Sequence, residues 1–282
     1  MTPDERAGGR VCLRCPVRGC DRALARHERR YACEANHSFD IARSGYVNLL
    51  QATDRKSKTP GDSREAALAR RRYLDAGNEA PVVDALAGIL ARFPDPLVLD
   101  IGCGEGFHMR ALGCAGAGVD ISTAAIELAA RADPSRLWVV ANADRALPFA
   151  DAQFDAVLSI TSRRNSAEFR RVLAPDGIAV LVVPGADDLV ELREAVLGHG
   201  EQRDRVARLE EEMAPGFRLL ERHNVRHRTH LGADTLRDLL ATTYRGARSS
   251  QQERVQELAD MDVTIDRDVC VFRQGVAADE RK

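Results

Sequence analysis

From residue 81 onward, apolar positions fall into two alternating rhythms. Continuous apolar runs of strand length occur at 97–102 (LVLDIG), 117–122 (AGVDIS), 136–143 (RLWVVANA), 154–160 (FDAVLSI) and 177–184 (GIAVLVVP). Between them lie segments with helical spacing, among them VVDALAGILARF, TAAIELAARA and SAEFRRVLA. Apolar runs bounded by turn residues suit strands buried on both faces, and their alternation with helices predicts an α/β fold with a doubly wound, Rossmann-like parallel sheet. Farther on, helices are expected at 187–198, 201–213 and 234–243, the last with Asp234 placed to cap it. Two late runs, HNVRHRTHL and DVTIDRDVCVF, imply a closing strand pair.

The first eighty or so residues break this rhythm. Cys12-x2-Cys15-x4-Cys20 is followed, after twelve residues, by Cys33-x3-His37, the paired spacing with which two knuckles close a zinc tetrahedron. Five ligands compete for four places. Cys15-Pro16 opens a knuckle that Cys20 can close, which gives Cys15, Cys20, Cys33 and His37; Cys12 with Cys15 is the rival first pair. In the cytosolic chain expected here, such clustered thiols argue for metal over disulfides. His27 is expected on the surface, and Cys103, Cys114 and Cys270 as small core residues. The organisation expected is a zinc-binding module at 1–46, a helical linker at 47–80 and a catalytic domain at 81–282. Asp62-Ser63 starts the linker helix, Gly77 stops it, and Arg70, Arg71 and Arg72 lie along it as candidate phosphate contacts.

Composition adds limits. The 282 residues are 44% hydrophobic and 30% charged, enough to bury a full core and inconsistent with disorder. No apolar run approaches a membrane span of roughly 20 residues, so a cytoplasmic protein without membrane contact is expected. The net charge of −2 conceals a division: residues 1–75 hold 16 Lys/Arg against 10 Asp/Glu, so the front is basic and the remainder acidic. A basic end suggests an anionic partner, nucleic acid being the common one.

The chemistry concentrates in Asp100-Ile101-Gly102-Cys103-Gly104-Glu105-Gly106, where a buried strand ends in a carboxylate and a glycine-rich turn. Glycines let backbone amides approach a ligand closely. Asp120 closes the next strand, where a carboxylate can accept hydrogen bonds from ribose hydroxyls. Nicotinamide dinucleotide sites use a different glycine spacing. The Asp100–Gly106 pattern instead resembles motif I of S-adenosylmethionine-dependent methyltransferases. That resemblance assigns donor binding to Asp100, Gly102, Gly104, Glu105, Gly106, Asp120 and Ile121, with Ala143 and Asp144 against adenine. As acid/base groups, Glu105 and His108 are set aside as loop and helix-surface residues.

Joined to the zinc module, the segments His37–Leu50, Gly61-Asp62-Ser63 and Ala69–Gly77 extend the likeness. Together they closely resemble the bacterial 23S ribosomal RNA guanine-N1 methyltransferases, a family with housekeeping and macrolide-resistance members. The resemblance implies a class I methyltransferase sheet, bound zinc, a 23S rRNA hairpin as partner, and a homodimer as one arrangement. It leaves the catalytic base unassigned. Arg163, Arg164 and Asn165, after the fourth strand of the alternating set, are candidates to line the target pocket. The chain departs from the family at Glu79 and Asp188, where Tyr and His are frequent, and at Arg163, where Pro is. Two other readings compete: a small-molecule methyltransferase that kept a zinc scaffold, and a zinc-containing RNA-binding protein without catalysis.

Overall fold

A computed structural model describes residues 10–54, 60–198, 204–243 and 255–275. The polar part of the expected linker, 55–59, and the first residues of the expected charged helix, 201–203, lie outside the described residues. Strands β1 (Leu13–Arg14), β2 (Ala23–Arg26), β3 (Arg30–Ala32) and β4 (Ser38–Asp40) form a small antiparallel sheet in chain order. There follow β5 (Val47–Asn48), α1 (Arg64–Asp75), α2 (Ala80–Leu90), β6 (Leu97–Ile101), α3 (Phe107–Leu112), β7 (Ala115–Asp120), α4 (Thr123–Ala132) and β8 (Leu137–Val140). The chain continues through β9 (Phe154–Ile160), α5 (Ser166–Val172), β10 (Leu173–Pro184), α6 (Val190–Leu197), α7 (Val206–Met213), β11 (Phe217–Leu231), α8 (Ala233–Thr243) and β12 (Met261–Gln274).

The large sheet has eight strands in the order β11-β12-β10-β9-β6-β7-β8-β5. The six from β10 to β5 are parallel, and β12 and β11 close the edge antiparallel. The strand order reverses between β6 and β9, which opens a crevice at their carboxyl ends where such sheets bind ligands. The late pair expected from the sequence is β11 with β12. An unexpected member is β5: Val47 and Asn48, at the head of the expected helical linker, pair with Val139 and Val140 as the far edge strand.

Period-two alternation divides the core. Leu97, Leu99 and Ile101 of β6 join a cluster with Phe149, Phe154 and Val157, whereas Val98 joins Leu86, Ile89, Met109 and Trp138 on the other face. The first cluster does not stop at the sheet: Leu13, Cys15, Leu24 and Tyr31 of the small sheet belong to it. A bridge between Leu13 and Phe149 and a bond from Arg14 N–H to Pro148 C=O, 3.0 Å, reinforce the seam.

Helix ends fix the linker. Ser63 Oγ accepts from Ala66 N–H at 3.2 Å, and Gly77 leaves α1 with φ +82°. Ser122 Oγ caps α4 through Ala125 N–H and donates to Asp62 C=O at 2.6 Å, which pins the start of α1 beside α4. The expected cap by Asp234 is not formed. Asp260 Oδ1 accepts from Ala233 N–H at 2.9 Å, while Asp234 lies inside the first turn and pairs with Arg237. Among the described residues no helix is long and apolar enough to cross a membrane.

The single tryptophan carries the packing beneath the crevice. Trp138 is fully buried and donates Nε1–H to Asp133 C=O at 2.7 Å, and its ring occupies the space where a Cβ on Gly106 would come within 2.5 Å. Trp138→Ala should therefore cost about 3–5 kcal/mol, read as a lower urea midpoint by circular dichroism; a loss below about 1 kcal/mol would contradict this packing role.

Candidate active site and metal centre

The metal centre is built from two hairpin turns. The turn between β1 and β2 presents Cys15 and Cys20, shaped by left-handed Gly19 and Asp21; the turn between β3 and β4 presents Cys33 and His37, with left-handed Asn36 between them. Backbone bonds from Cys20 N–H to Val17 C=O, 2.9 Å, and from Cys33 N–H to His37 C=O, 3.1 Å, hold the turns. All four ligand atoms lie within 4.8 Å of one another, with Cys15 Sγ 3.3 Å from His37 Nδ1 and Cys20 Sγ 3.8 Å from Cys33 Sγ. Three thiols and an imidazole in a closed cluster suit Zn²⁺ in a structural role. Burial pushes the Cys15 thiol up to about 12, a penalty that metal ligation removes by taking the thiolate. Cys12 stays outside this cluster: it is exposed, and its backbone is tied to Gln153.

The candidate donor site is a cleft of about 890 Å³ at the carboxyl ends of β6, β7, β8, β9 and β10. Gly102, Asp120, Ile121, Ala143 and Asp144, expected from the resemblance to bind the donor, line it together. Asp120 ties two turns together, with Oδ2 accepting from Gly104 N–H at 3.0 Å and Oδ1 from Ser122 N–H at 2.7 Å. Gly102 takes φ +71° against Ser162, where a Cβ would overlap the Ser162 hydroxyl. Gly106 serves packing against Trp138 rather than the cleft surface.

Asp100 and Glu105 lie buried behind the glycine turn, outside the residues that line the cleft. Both are 1% exposed, and Asp100 Oδ2 and Glu105 Oε1 have no hydrogen-bond partner. Burial pushes Asp100 up to about 7; Arg70 opposes the shift, and Asp120 and Glu105 add to it. Burial also raises Glu105 and Asp120. Their buried negative charge behind the glycine turn favours a cationic ligand in the adjoining cleft, and the sulfonium of S-adenosylmethionine fits that demand. Glu105 is thus a loop group, as expected, but a fully buried one. His108 is not on the helix surface: it is 6% exposed, lines the cleft, and is held neutral near 3 by burial and by Arg70.

The arginine candidates separate. Arg70 lines the cleft over Gly104. Arg71 turns to Leu128 C=O at 3.2 Å in the α1–α4 seam, and Arg72 forms a two-pronged pair with Asp238; neither is presented as a free phosphate contact. Arg163 lines both the cleft and an adjoining pocket of about 350 Å³. Arg164 pairs with Glu212 at 2.7 Å in that adjoining pocket. Asn165 caps α5 by accepting from Glu168 N–H, so it is spent on the helix rather than on the target pocket. Sequence reading passed over Tyr73, Asn142 and Arg267, which also line the cleft. Asn142 had a signal, since it stands directly before Ala143 at the end of β8, whereas nothing near Arg267 in the chain marks it.

A zinc cluster on two hairpins beside a sheet with a glycine-and-carboxylate cleft defines a zinc-ribbon, S-adenosylmethionine-dependent class I methyltransferase. Comparison with known proteins bears on each part. Residues 13–58 match the zinc-ribbon family described as RlmA, N-terminal, and residues 99–181 match the family described as methyltransferase domain. The 23S rRNA (guanine(748)-N(1))-methyltransferase of Streptomyces fradiae is 35% identical over 88% of this chain and 90% of its own length. A relative from Micromonospora griseorubida, provisionally named for 23S rRNA guanine-N1 methylation, is 40% identical over 64% of this chain and 68% of its own length. A crystallised protein of Bacillus halodurans shares the fold, with a TM-score of 0.50 at 17% identity over 69% of this chain and 99% of that one. The chain belongs to the 23S rRNA (guanine-N1)-methyltransferase family.

Two outcomes follow from the geometry. Cys33→Ser should reduce zinc from one to less than about half an equivalent per chain, by elemental analysis, and expose the ribbon to proteolysis; full zinc retention would remove Cys33 from the ligand set. Because Asp100 is raised above its unfolded value, the folded chain without donor holds an extra proton between about pH 4 and pH 7, and stability declines as pH rises through that window. A cationic donor favours the carboxylate, so donor affinity should rise from about pH 6 to pH 8 with proton release. Calorimetry in buffers of different ionisation enthalpy reads this directly, and Asp100→Asn should flatten it.

Proposed function

We propose that this chain transfers the methyl group of S-adenosylmethionine to N1 of a guanine in a 23S rRNA hairpin, acting in the cytoplasm. The observation that carries the reading is the run of similarity to the Streptomyces fradiae enzyme through both the ribbon and the sheet domain, 88% of the chain. When bound, the donor supplies an electrophilic methyl group on its sulfonium. The chain must hold the base in line with it and accommodate the charge left when N1 loses its proton.

Arg163 suits the second task. It lies where the cleft joins the adjoining pocket, at the carboxyl end of β9, so its guanidinium can face O6 of an unstacked guanine as negative charge builds there. Thr161, two residues earlier, holds a left-handed φ of +51° anchored by its N–H to Val182 C=O at 2.9 Å; this strained turn aims the Arg163 loop. The ribbon suits RNA, with Arg22, Arg29 and Arg30 exposed on or beside its strands as phosphate contacts. We propose that residues 1–46 grip the hairpin, 47–80 connect, and 81–282 carry the chemistry.

Incubation with methyl-labelled donor and unmethylated 23S rRNA should give 1-methylguanosine by mass spectrometry and one reverse-transcription stop. Arg163→Ala should lower kcat about 10- to 100-fold while donor affinity stays within about twofold. Label appearing in small molecules with RNA unlabelled would replace this reading with a small-molecule methyltransferase.

A further inference from the structure

Beside the cleft lies the second cavity, of about 350 Å³, which the methyl-transfer reading uses only at its border. Asp144, Ser162 and Arg163 belong to both cavities, whereas Arg164, Arg208 and Glu212 belong to the second alone. No apolar side chain lines it. A heterocyclic base presents two flat faces that apolar or aromatic neighbours cover. The cleft offers Ile121 and Ile160 for that purpose, and the second cavity offers nothing comparable. Its lining suits a small charged group.

The sign of that group follows from one carboxylate that holds two guanidiniums. Arg208 and Glu212 stand at i and i+4 on α7, so they share one face while Val206, Leu209 and Met213 are buried on the other. Glu212 Oε1 accepts from Arg208 Nε at 2.9 Å, and Oε2 accepts from Arg164 Nε at 2.8 Å. Partial burial opposes the Glu212 charge, yet these bonds hold its carboxyl below the usual range. Arg164 arrives from a backbone tied on both sides: Ser159 Oγ donates to Arg163 C=O at 3.3 Å, and Asn165 Nδ2 donates to Arg145 C=O at 3.2 Å. Glu212 occupies Arg164 Nε and Nη2 and Arg208 Nε, so Arg164 Nη1 and both Nη groups of Arg208 donate to no protein group among the described residues. Two cations against one anion leave a surplus positive charge. At the border, Asp144 and Arg163 carry opposite charges and leave that surplus unchanged.

We infer that Arg164 and Arg208, aligned by Glu212, bind a backbone phosphate of the target guanosine while its guanine enters the cleft past Arg163. The inference rests on the rRNA reading above and deepens it by naming what the second cavity takes. A phosphodiester carries the single negative charge that this surplus matches, and its oxygens accept from several N–H groups at once. Such a contact positions the nucleotide without reading its base, so selection of guanine stays with the cleft. Glu212 is the positioning residue that keeps the two guanidiniums side by side.

The first arm of the test needs neither RNA nor turnover. The full chain, saturated with S-adenosylhomocysteine, is titrated with guanosine, guanosine 5′-monophosphate, guanosine 3′-monophosphate and inorganic phosphate, with ligand signals followed by nuclear magnetic resonance. One of the two monophosphates should bind at least about 10-fold tighter than guanosine and than inorganic phosphate. Arg164→Gln and Arg208→Gln should each lower that preference about 5-fold or more, with guanosine and S-adenosylhomocysteine held within about twofold. The Arg208 side chain is 82% exposed, so its variant keeps the test valid if Arg164→Gln does not fold. In the second arm, binding of unmethylated 23S rRNA is measured across salt concentrations, and the double variant should reduce the slope of log affinity against log salt by about one. Guanosine bound as tightly as both monophosphates, or an unchanged salt slope in the double variant, would overturn the subsite and leave rRNA methylation standing. Inorganic phosphate bound as tightly as the better monophosphate would give the cavity to a free anion and overturn it as well. Wild-type protein that leaves 23S rRNA unlabelled would overturn the rRNA reading and the subsite with it.

Discussion

Buried negative charge sets the terms for this molecule. Asp100, Glu105 and Asp120 lie under one glycine turn, and only Asp120 has both oxygens matched by backbone amides. Carboxylates removed from water either find cations or take up protons, and burial lifts all three above their ordinary range. Arg70 is the nearby guanidinium that opposes this shift at each of them. A core built for stability alone would replace such a cluster with apolar side chains at little cost. Its presence at the crevice where strand order reverses is explained by a ligand that brings positive charge.

The surrounding structure keeps that cluster dry and rigid. Trp138 fills the space under Gly106 and beside Gly118, so the turn cannot sink into the sheet. Asp120 fastens the glycine turn to the start of α4, and Ser122 fastens α4 to the approach of α1. The helix that carries Arg70 and Tyr73 is thus positioned, through Ser122, from the same carboxylate that ends β7. Loss of any one of these ties would move the cation relative to the anions it faces.

What sequence reading could find and what it missed divide along one line. Local signals transferred well: the motif from Asp100 to Gly106, the period-two strands, Ser63 as a cap and Gly77 as a stop are each decided by neighbours in the chain. Long-range pairing left no such trace. Glu79 and Arg267 are 188 residues apart, and Arg267 sits in a strand whose alternation of charged and apolar residues suggests a solvated face, yet it is buried. The same blindness affected Arg71 and Arg72, which look alike in sequence but end in a helix seam and an ion pair. His108 looked like a helix-surface group because its burial comes from elements the local pattern does not include. The late helix beginning near Asp234 was located to within a residue, but its cap came from Asp260, 27 residues on.

Packing also decides how the two sheets cooperate. A chain segment of variable structure between modules would allow the metal ribbon to wander, since loop length constrains end separation only weakly. Here the ribbon shares its interior with the sheet: Leu13, Cys15 and Tyr31 lie in the cluster that holds Leu99 and Phe149, and β5 continues directly from the ribbon into the edge of the large sheet. The zinc cluster closes the hairpins that present those apolar residues, because Cys15 is at once a ligand and a core side chain. The separation between the metal centre and the cleft is therefore fixed by the hydrophobic seam. On the proposed reading, an RNA element held by the ribbon's exposed arginines would be delivered at a set distance from the Arg163 loop, so recognition of the RNA and positioning of the reacting base would become one geometric event.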